Sequence, residues 1–417
     1  MAYKHIIYMG AYSLKTWIRK IFEKEIELPE YQRDFTWNSK NGENLKESLE
    51  KGYYIPPVTL AKYNDKIYLL DGQQRLTSII CLYLGVWPKD KNKKNIQKED
   101  EEQEYEKEFS PNFTFKILQD LQLGSVKTLL GDPDEFQKEI FEKSTKYLEK
   151  QELKFKDIEN IFLPYCLIMP NLKEYKDQRD FFAETFRRMN TLGQQLSKKE
   201  LRGTIFWLYK NIKQDIYTDR VKNFEEELKK LRVFGNDSDM LGYFAIVCNS
   251  KKRAGKIMEN MKEITNKYSR DTEEFRRYVV DFLLCYGKGE YNNIWDKKDI
   301  ECIKNNQDRF QDSESYFLDF FRENKKNYKE RNISYQDVYL FSFILYVYFS
   351  KKEISKDKIS ELLESARKNM SEYLENLKNS KEDTLENYRK EPNTAKRIAQ
   401  RLLIAFQVVY PEEYGNE

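Results

Sequence analysis

The stretch that decides the fold runs Val58-Thr59-Leu60-Ala61-Lys62-Tyr63-Asn64-Asp65-Lys66-Ile67-Tyr68-Leu69-Leu70-Asp71-Gly72-Gln73-Gln74-Arg75-Leu76-Thr77. Two apolar, β-favouring runs, Val58 to Tyr63 and Lys66 to Leu70, flank Asn64-Asp65, a pair suited to the tight turn of a hairpin. The second strand ends in Asp71-Gly72, and an apolar run from Leu76 to Leu84 reads as a helix. A strand that passes through glycine into a helix is the local plan of an α/β unit.

Working outward, Ser13 caps a helix through Glu23 with Leu14, Trp17, Ile18 and Ile21 on one face. A short extended run, Ile26 to Pro29, follows it. A helix from about Glu43 to Glu50 stops near Gly52, and Pro56-Pro57 breaks the chain before the hairpin. Residues 1–87 therefore read as a mixed α/β core. Residues 88–110 form a charged linker or insertion, basic up to Lys98 and acidic from Glu99, and read as a solvated segment.

Residues 111–209 read as mostly helical, with a strand over Leu163 to Met169. A helix over Asp177 to Met189 buries Phe181, Phe182, Thr185, Phe186 and Met189 and ends in a turn, Asn190-Thr191-Leu192-Gly193. Ser197-Lys198-Lys199-Glu200 is a capping box that opens a helix over Leu201 to Tyr209. Residues 210–417 read as all-α, with a last helix from Thr394 to about Tyr410. The expected fold class is α+β: a small mixed sheet followed by a mostly helical domain.

Composition bounds the chemistry. The chain has 417 residues, a formal charge of +3 and one histidine, His5. Histidine is the usual general base at neutral pH and the commonest metal ligand. A His-rich zinc site or an HNH nuclease is excluded, and a Ser-His-Asp triad would have to use His5. Chemistry here rests on carboxylates, Arg, Lys, Gln and backbone amides. Cys81, Cys166, Cys248, Cys285 and Cys302 form no CxxC pair and read as reduced core residues of a cytoplasmic protein. No signal peptide is read at the start, and the most apolar stretch, Val338 to Phe349, is too short to span a bilayer and reads as a buried helix.

The turn Asp71-Gly72-Gln73-Gln74-Arg75 carries the functional reading. Gly72 lets the backbone turn tightly and come close to a ligand. The first amides of the following helix lack intrahelical acceptors and, with the helix dipole, favour an anion such as phosphate. Gln73 and Gln74 add neutral donors, and Arg75 adds a charged fork. Asp71 suits a cap or a metal that accompanies a phosphate. The same residues also describe a plain strand-to-helix turn with a capping Asp and a surface Arg. Upstream, Leu28-Pro29-Glu30-Tyr31-Gln32-Arg33-Asp34-Phe35-Thr36-Trp37 sets polar groups among aromatic anchors, as a binding loop or a packed loop would.

Three ordered motifs together resemble the GmrSD N-terminal-domain family of ParB/sulfiredoxin-like domains. They are Pro29-x-Tyr31-Gln32-Arg33-x-Phe35-x-Trp37, the Gly52…Ile55-Pro56-Pro57-Val58 and Asp71-Gly72-Gln73-Gln74-Arg75-Leu76-Thr77 pair, and Asn190-Thr191-Leu192-Gly193…Leu196-Ser197…Glu200-Leu201. The resemblance covers about residues 10–210. It implies nucleotide binding by Gln32, Arg33, Gly72, Gln73, Gln74 and Arg75, with Asn190 and Gly193 as a second wall. It implies Asp71 and Arg75 as catalytic residues, Asp71 as the metal-coordinating one, and Mg²⁺ arriving with a nucleoside triphosphate. Family members act in phage defence, in restriction enzymes whose nuclease activity is tied to nucleotide hydrolysis. DNA and a separately encoded nuclease are then the expected partners, because residues 210–417 hold no histidine for an HNH site.

Two alternatives stay open at this level. One is a DNA-binding module without turnover, using the same cleft. The other is a metal-dependent nickase using carboxylates, Asp71 or the loosely spaced Pro133-Asp134 and Glu152-Leu153-Lys154. The last helix also offers Lys396, Arg397 and Arg401 as a basic face for DNA, against the simpler reading of a solvated face on a core helix. The aromatic run Tyr335 to Phe349 reads as core.

Overall fold

The computed structural model describes residues 5–29, 35–88, 130, 148–150, 154–155, 157–192, 198–231, 239–249, 273–292, 294–324, 333–380, 384–390 and 395–414. Two compact units divide the chain, Met1–Thr204 and Ile205–Glu417.

The first unit is built on a five-stranded mixed sheet. Its strands are β1 (His5–Ser13), β2 (Ile26–Glu27), β3 (Val58–Tyr63), β4 (Lys66–Asp71) and β7 (Phe162–Pro170), in the order β1-β7-β3-β4-β2. β5 (Val86–Pro88) and β6 (Leu148–Lys150) form a separate antiparallel pair. The expected hairpin is present: β3 and β4 pair antiparallel, and Asn64 and Asp65 both take positive φ, 48° and 59°, as a two-residue turn of this kind requires. β7 runs parallel to β3 and antiparallel to β1, so the expected strand near Leu163 lies between two N-terminal strands.

Helix α1 (Leu14–Phe22) starts at an N-cap Ser13 whose side chain accepts from Thr16 N, and it buries Leu14, Trp17, Ile18 and Ile21, as its spacing predicts. Trp17 Nε1 donates to the Leu163 carbonyl at 3.1 Å, fixing α1 to β7. Helix α2 (Ser39–Lys51) begins earlier than the apolar pattern suggests, because Asn38 and Asn41 exchange reciprocal capping bonds. It ends at Gly52, which is left-handed with φ 70°. Helix α3 (Gln73–Leu84) is buried along its entire length, packed with α1 and the sheet in one core.

Helix α4 (Tyr175–Leu192) buries Phe182, Ala183 and Phe186. It continues through Asn190, Thr191 and Leu192, so the turn expected at Asn190 to Gly193 does not begin at Asn190. These three residues complete the last helical turn, and Gly193 lies outside the described residues. Helix α5 spans Lys198–Leu208.

The second unit is helical throughout its described residues. It comprises α6 (Lys210–Asp215), α7 (Asp219–Lys230), α8 (Met240–Asn249), α9 (Glu273–Lys288), α10 (Lys297–Asn305), α11 (Gln307–Glu323), α12 (Ile333–Ile344), α13 (Lys356–Lys378), α14 (Leu385–Lys390), α15 (Ala395–Val409) and α16 (Pro411–Tyr414). One π-turn, Leu345–Phe349, extends α12. Val338 to Tyr348 are buried, with Phe343 ringed by Phe224, Phe310 and Phe317, so this aromatic run is core. No helix among the described residues is long and apolar enough to cross a membrane.

The packing corrects both readings of the last helix, a basic face for DNA and a solvated face, at its two arginines. Arg401 is fully buried and its Nη1 lies 2.8 Å from Asp337 Oδ2. Arg397 is also buried, with its guanidinium 4.5 Å from the centre of the Tyr388 ring. Of the three cations only Lys396 is exposed. Two of them therefore serve the helical core and are out of reach of a DNA backbone.

Candidate functional site

The site is built where β4 ends and α3 begins. Gly72 is the N-cap of α3 at φ 102°, ψ 8°, and no side chain caps the helix. A Cβ at this position would lie 3.1 Å from Val58 Cγ2 and 3.3 Å from Arg75 Nη2, so glycine is needed both for the backbone angle and for space. Asp71 does not cap the helix. Its carboxylate instead accepts from Arg75 Nη2 at 2.8 Å.

Arg75 is largely buried, while Asp71 is 60% exposed. The alternative of a surface Arg is thereby excluded. Arg75 Nη1 donates to the Pro56 carbonyl, which ties the segment before β3 to the first turn of α3. Burial lowers the guanidinium pKa from its ordinary value, and Asp71, through charge and hydrogen bond, works against that shift, with Tyr54 adding a smaller effect in the same direction. The group remains a cation at any physiological pH. The result is a fixed positive charge at a positive helix end, paired with one exposed carboxylate.

Gln73 and Gln74 are both buried. The Gln74 side-chain oxygen accepts from Thr36 N at 2.8 Å, from Thr36 Oγ1 at 3.3 Å and from Trp37 N at 3.3 Å. Gln74 thus anchors Thr36 and Trp37, which follow Gln32 and Arg33 in the sequence. Gln32 and Arg33 lie outside the described residues, as do Gly193, Asp134 and Glu152. Asn190 is placed in α4, in its last turn. Phe35 meets Trp87 edge-on at 5.3 Å, so the segment just before Thr36 is fastened to the core by its aromatic residue.

Two participants escape sequence reading. The Pro56 carbonyl is one, since a main-chain acceptor leaves no residue-type signal. The second is Tyr54, exposed two residues before the Pro56 carbonyl that Arg75 holds. A Tyr-Tyr pair between a helix-ending glycine and a double proline is the signal that could have found it.

For a metal, the donor set at this turn is one carboxylate, and no cluster of three or more His, Cys, Asp or Glu is present among the described residues. One carboxylate does not make a resident all-protein site. It suits a Mg²⁺ that keeps its waters and arrives bound to phosphates, with Asp71 as the residue to hold it.

The site and fold define an α+β domain that presents a buried Arg and an exposed Asp at a glycine-opened helix start. Residues 14–207 match the family described as GmrSD restriction endonuclease, N-terminal domain. An uncharacterized protein of Methanocaldococcus jannaschii is 24% identical over 273 residues, which is 52% of this chain and 46% of that protein. The chain thus matches less than half the length of that relative. No solved structure matches the chain significantly.

Proposed function

We propose that the Asp71–Arg75 turn binds a nucleoside triphosphate and promotes its hydrolysis, and that the chain acts as a sensor or regulatory component of a restriction-type phage-defence system. The observation that carries this reading is the Arg75 guanidinium, buried and held by Pro56 at the uncapped, glycine-opened start of α3. Arg75 is positioned before any ligand arrives, which removes the cost of ordering a long side chain on binding. A phosphate oxygen takes the place of the Asp71 carboxylate on Nη2, exchanging one charge-assisted bond for another.

Asp71, released from Arg75, is then the exposed carboxylate beside the phosphates, placed to accept a proton from an attacking water. Mg²⁺, when bound with the phosphates, neutralises their charge. In this reading Gln32 and Arg33 add further nucleotide contacts, and Asn190 and Gly193 supply a second wall. DNA and a nuclease on a separate chain are the proposed partners.

Phosphate release measured with and without DNA tests the proposal. The expected result is release by the native chain and its loss in both Arg75→Ala and Asp71→Asn. Steeply salt-dependent DNA binding with no phosphate release from any nucleotide would instead support a DNA-binding module without turnover.

A further inference from the structure

Tyr54 is 85% exposed, more than any other large hydrophobic residue among those described, and Tyr53 beside it is 59% exposed. Their setting is not a free tail. Gly52 ends α2 on one side, and the Pro56 carbonyl is held by Arg75 on the other, only two residues from Tyr54. The Lys51 ammonium lies 5.9 Å from the centre of the Tyr53 ring, a further restraint at the base of the segment. An aromatic ring left in water on a segment tied at both ends keeps its large apolar face available without much freedom left to lose.

We propose that Tyr54 is the platform on which the base of the bound nucleotide stacks. This rests on the nucleotide reading of the Arg75 site. In a nucleoside triphosphate the base lies beyond the ribose, away from the phosphates, so its platform must stand beside the anion site and not within it. Tyr54 meets that condition: it stands two residues before Pro56, whose carbonyl Arg75 holds, while its ring stays in solvent. A base and a tyrosine both present π-faces, so stacking tolerates any base and gains with its area. The inferred site therefore takes all four nucleotides and favours the purines.

The test is calorimetric titration of the native chain, Tyr54→Ala and Tyr54→Phe with each nucleoside triphosphate and with inorganic tripolyphosphate, all with Mg²⁺. Tyr54→Ala is expected to weaken purine nucleotides roughly five- to hundredfold, the range for one base–aromatic stack. It should leave tripolyphosphate unchanged, and Tyr54→Phe should bind like the native chain. Equal nucleotide affinity in Tyr54→Ala, or an equal loss for nucleotide and tripolyphosphate, overturns the stacking role. So does a native chain that binds tripolyphosphate as tightly as any nucleotide, which would leave the anion site standing without a base contact. A native chain that binds neither would overturn the nucleotide reading itself.

Discussion

Gln74 ties the first turn of α3 to residues 36 and 37 through a single oxygen that accepts three hydrogen bonds. Gln74→Ala would leave the Thr36 and Trp37 amides without that acceptor, and should cost about 1–3 kcal/mol in a urea denaturation series. Gln74→Glu keeps the acceptor and should recover part of the loss. Gly72 makes a second demand at this turn. Gly72→Ala forces a side chain into left-handed backbone 3.1 Å from Val58 Cγ2 and should cost about 1–2 kcal/mol from the backbone alone. The motif was legible in the sequence as a turn with a charge. What it did not reveal is which of its polar groups face inward. Gln74 and Arg75 bond to Thr36, Trp37 and Pro56, partners 19 to 38 residues away that the sequence gives no means of choosing.

Among the elements, α4 carries a titratable carboxylate with a definite pH consequence. Hydrogen bonds from Arg187, then from Arg188, with their charges, hold the Glu184 carboxyl down at about 2, against the opposing effect of partial burial. A depressed folded-state value means that the stabilisation is complete above the unfolded carboxylate range, near 4.3, and is lost as pH falls toward about 2. Glu184→Gln should therefore flatten the fall in melting temperature across that acid window and change little of its shape above pH 5. Helix α2 depends on a different feature. A Cβ at Gly42 would lie 2.5 Å from a Trp87 ring carbon, so Gly42→Ala should cost about 1–3 kcal/mol by overpacking. Elements with one apolar face, such as α1, could be read directly from spacing. β1 could not. Its consecutive Ile6, Ile7, Tyr8 and Met9 are all exposed, without the one-sided alternation of a half-buried strand, and its partner β7 begins some 150 residues later in the chain.

At the scale of the whole molecule, the chain joins a sheet-based unit that holds the candidate site to a helical unit with a charged core of its own. Tyr243 Oη donates to Asp337 Oδ1 at 2.7 Å, Asp337 Oδ2 faces Arg401, and Arg401 Nε donates to the Arg397 carbonyl at 3.0 Å. Asp337→Ala would strand a buried guanidinium and should cost about 3–5 kcal/mol in the stability of that unit, read by thermal unfolding. This arrangement explains why two arginines that look like a nucleic-acid face in the sequence are absent from the surface. Phosphate recognition then rests locally on the Arg75 turn, consistent with a net charge of only +3. The most direct test of that claim is the affinity of the native chain and of Arg75→Ala for nucleoside triphosphates with Mg²⁺, measured by titration calorimetry. Saturable binding by the native chain is expected, and its loss in a variant that retains the native circular dichroism spectrum. Equal affinity in the two chains, or no binding to the native chain, would contradict it.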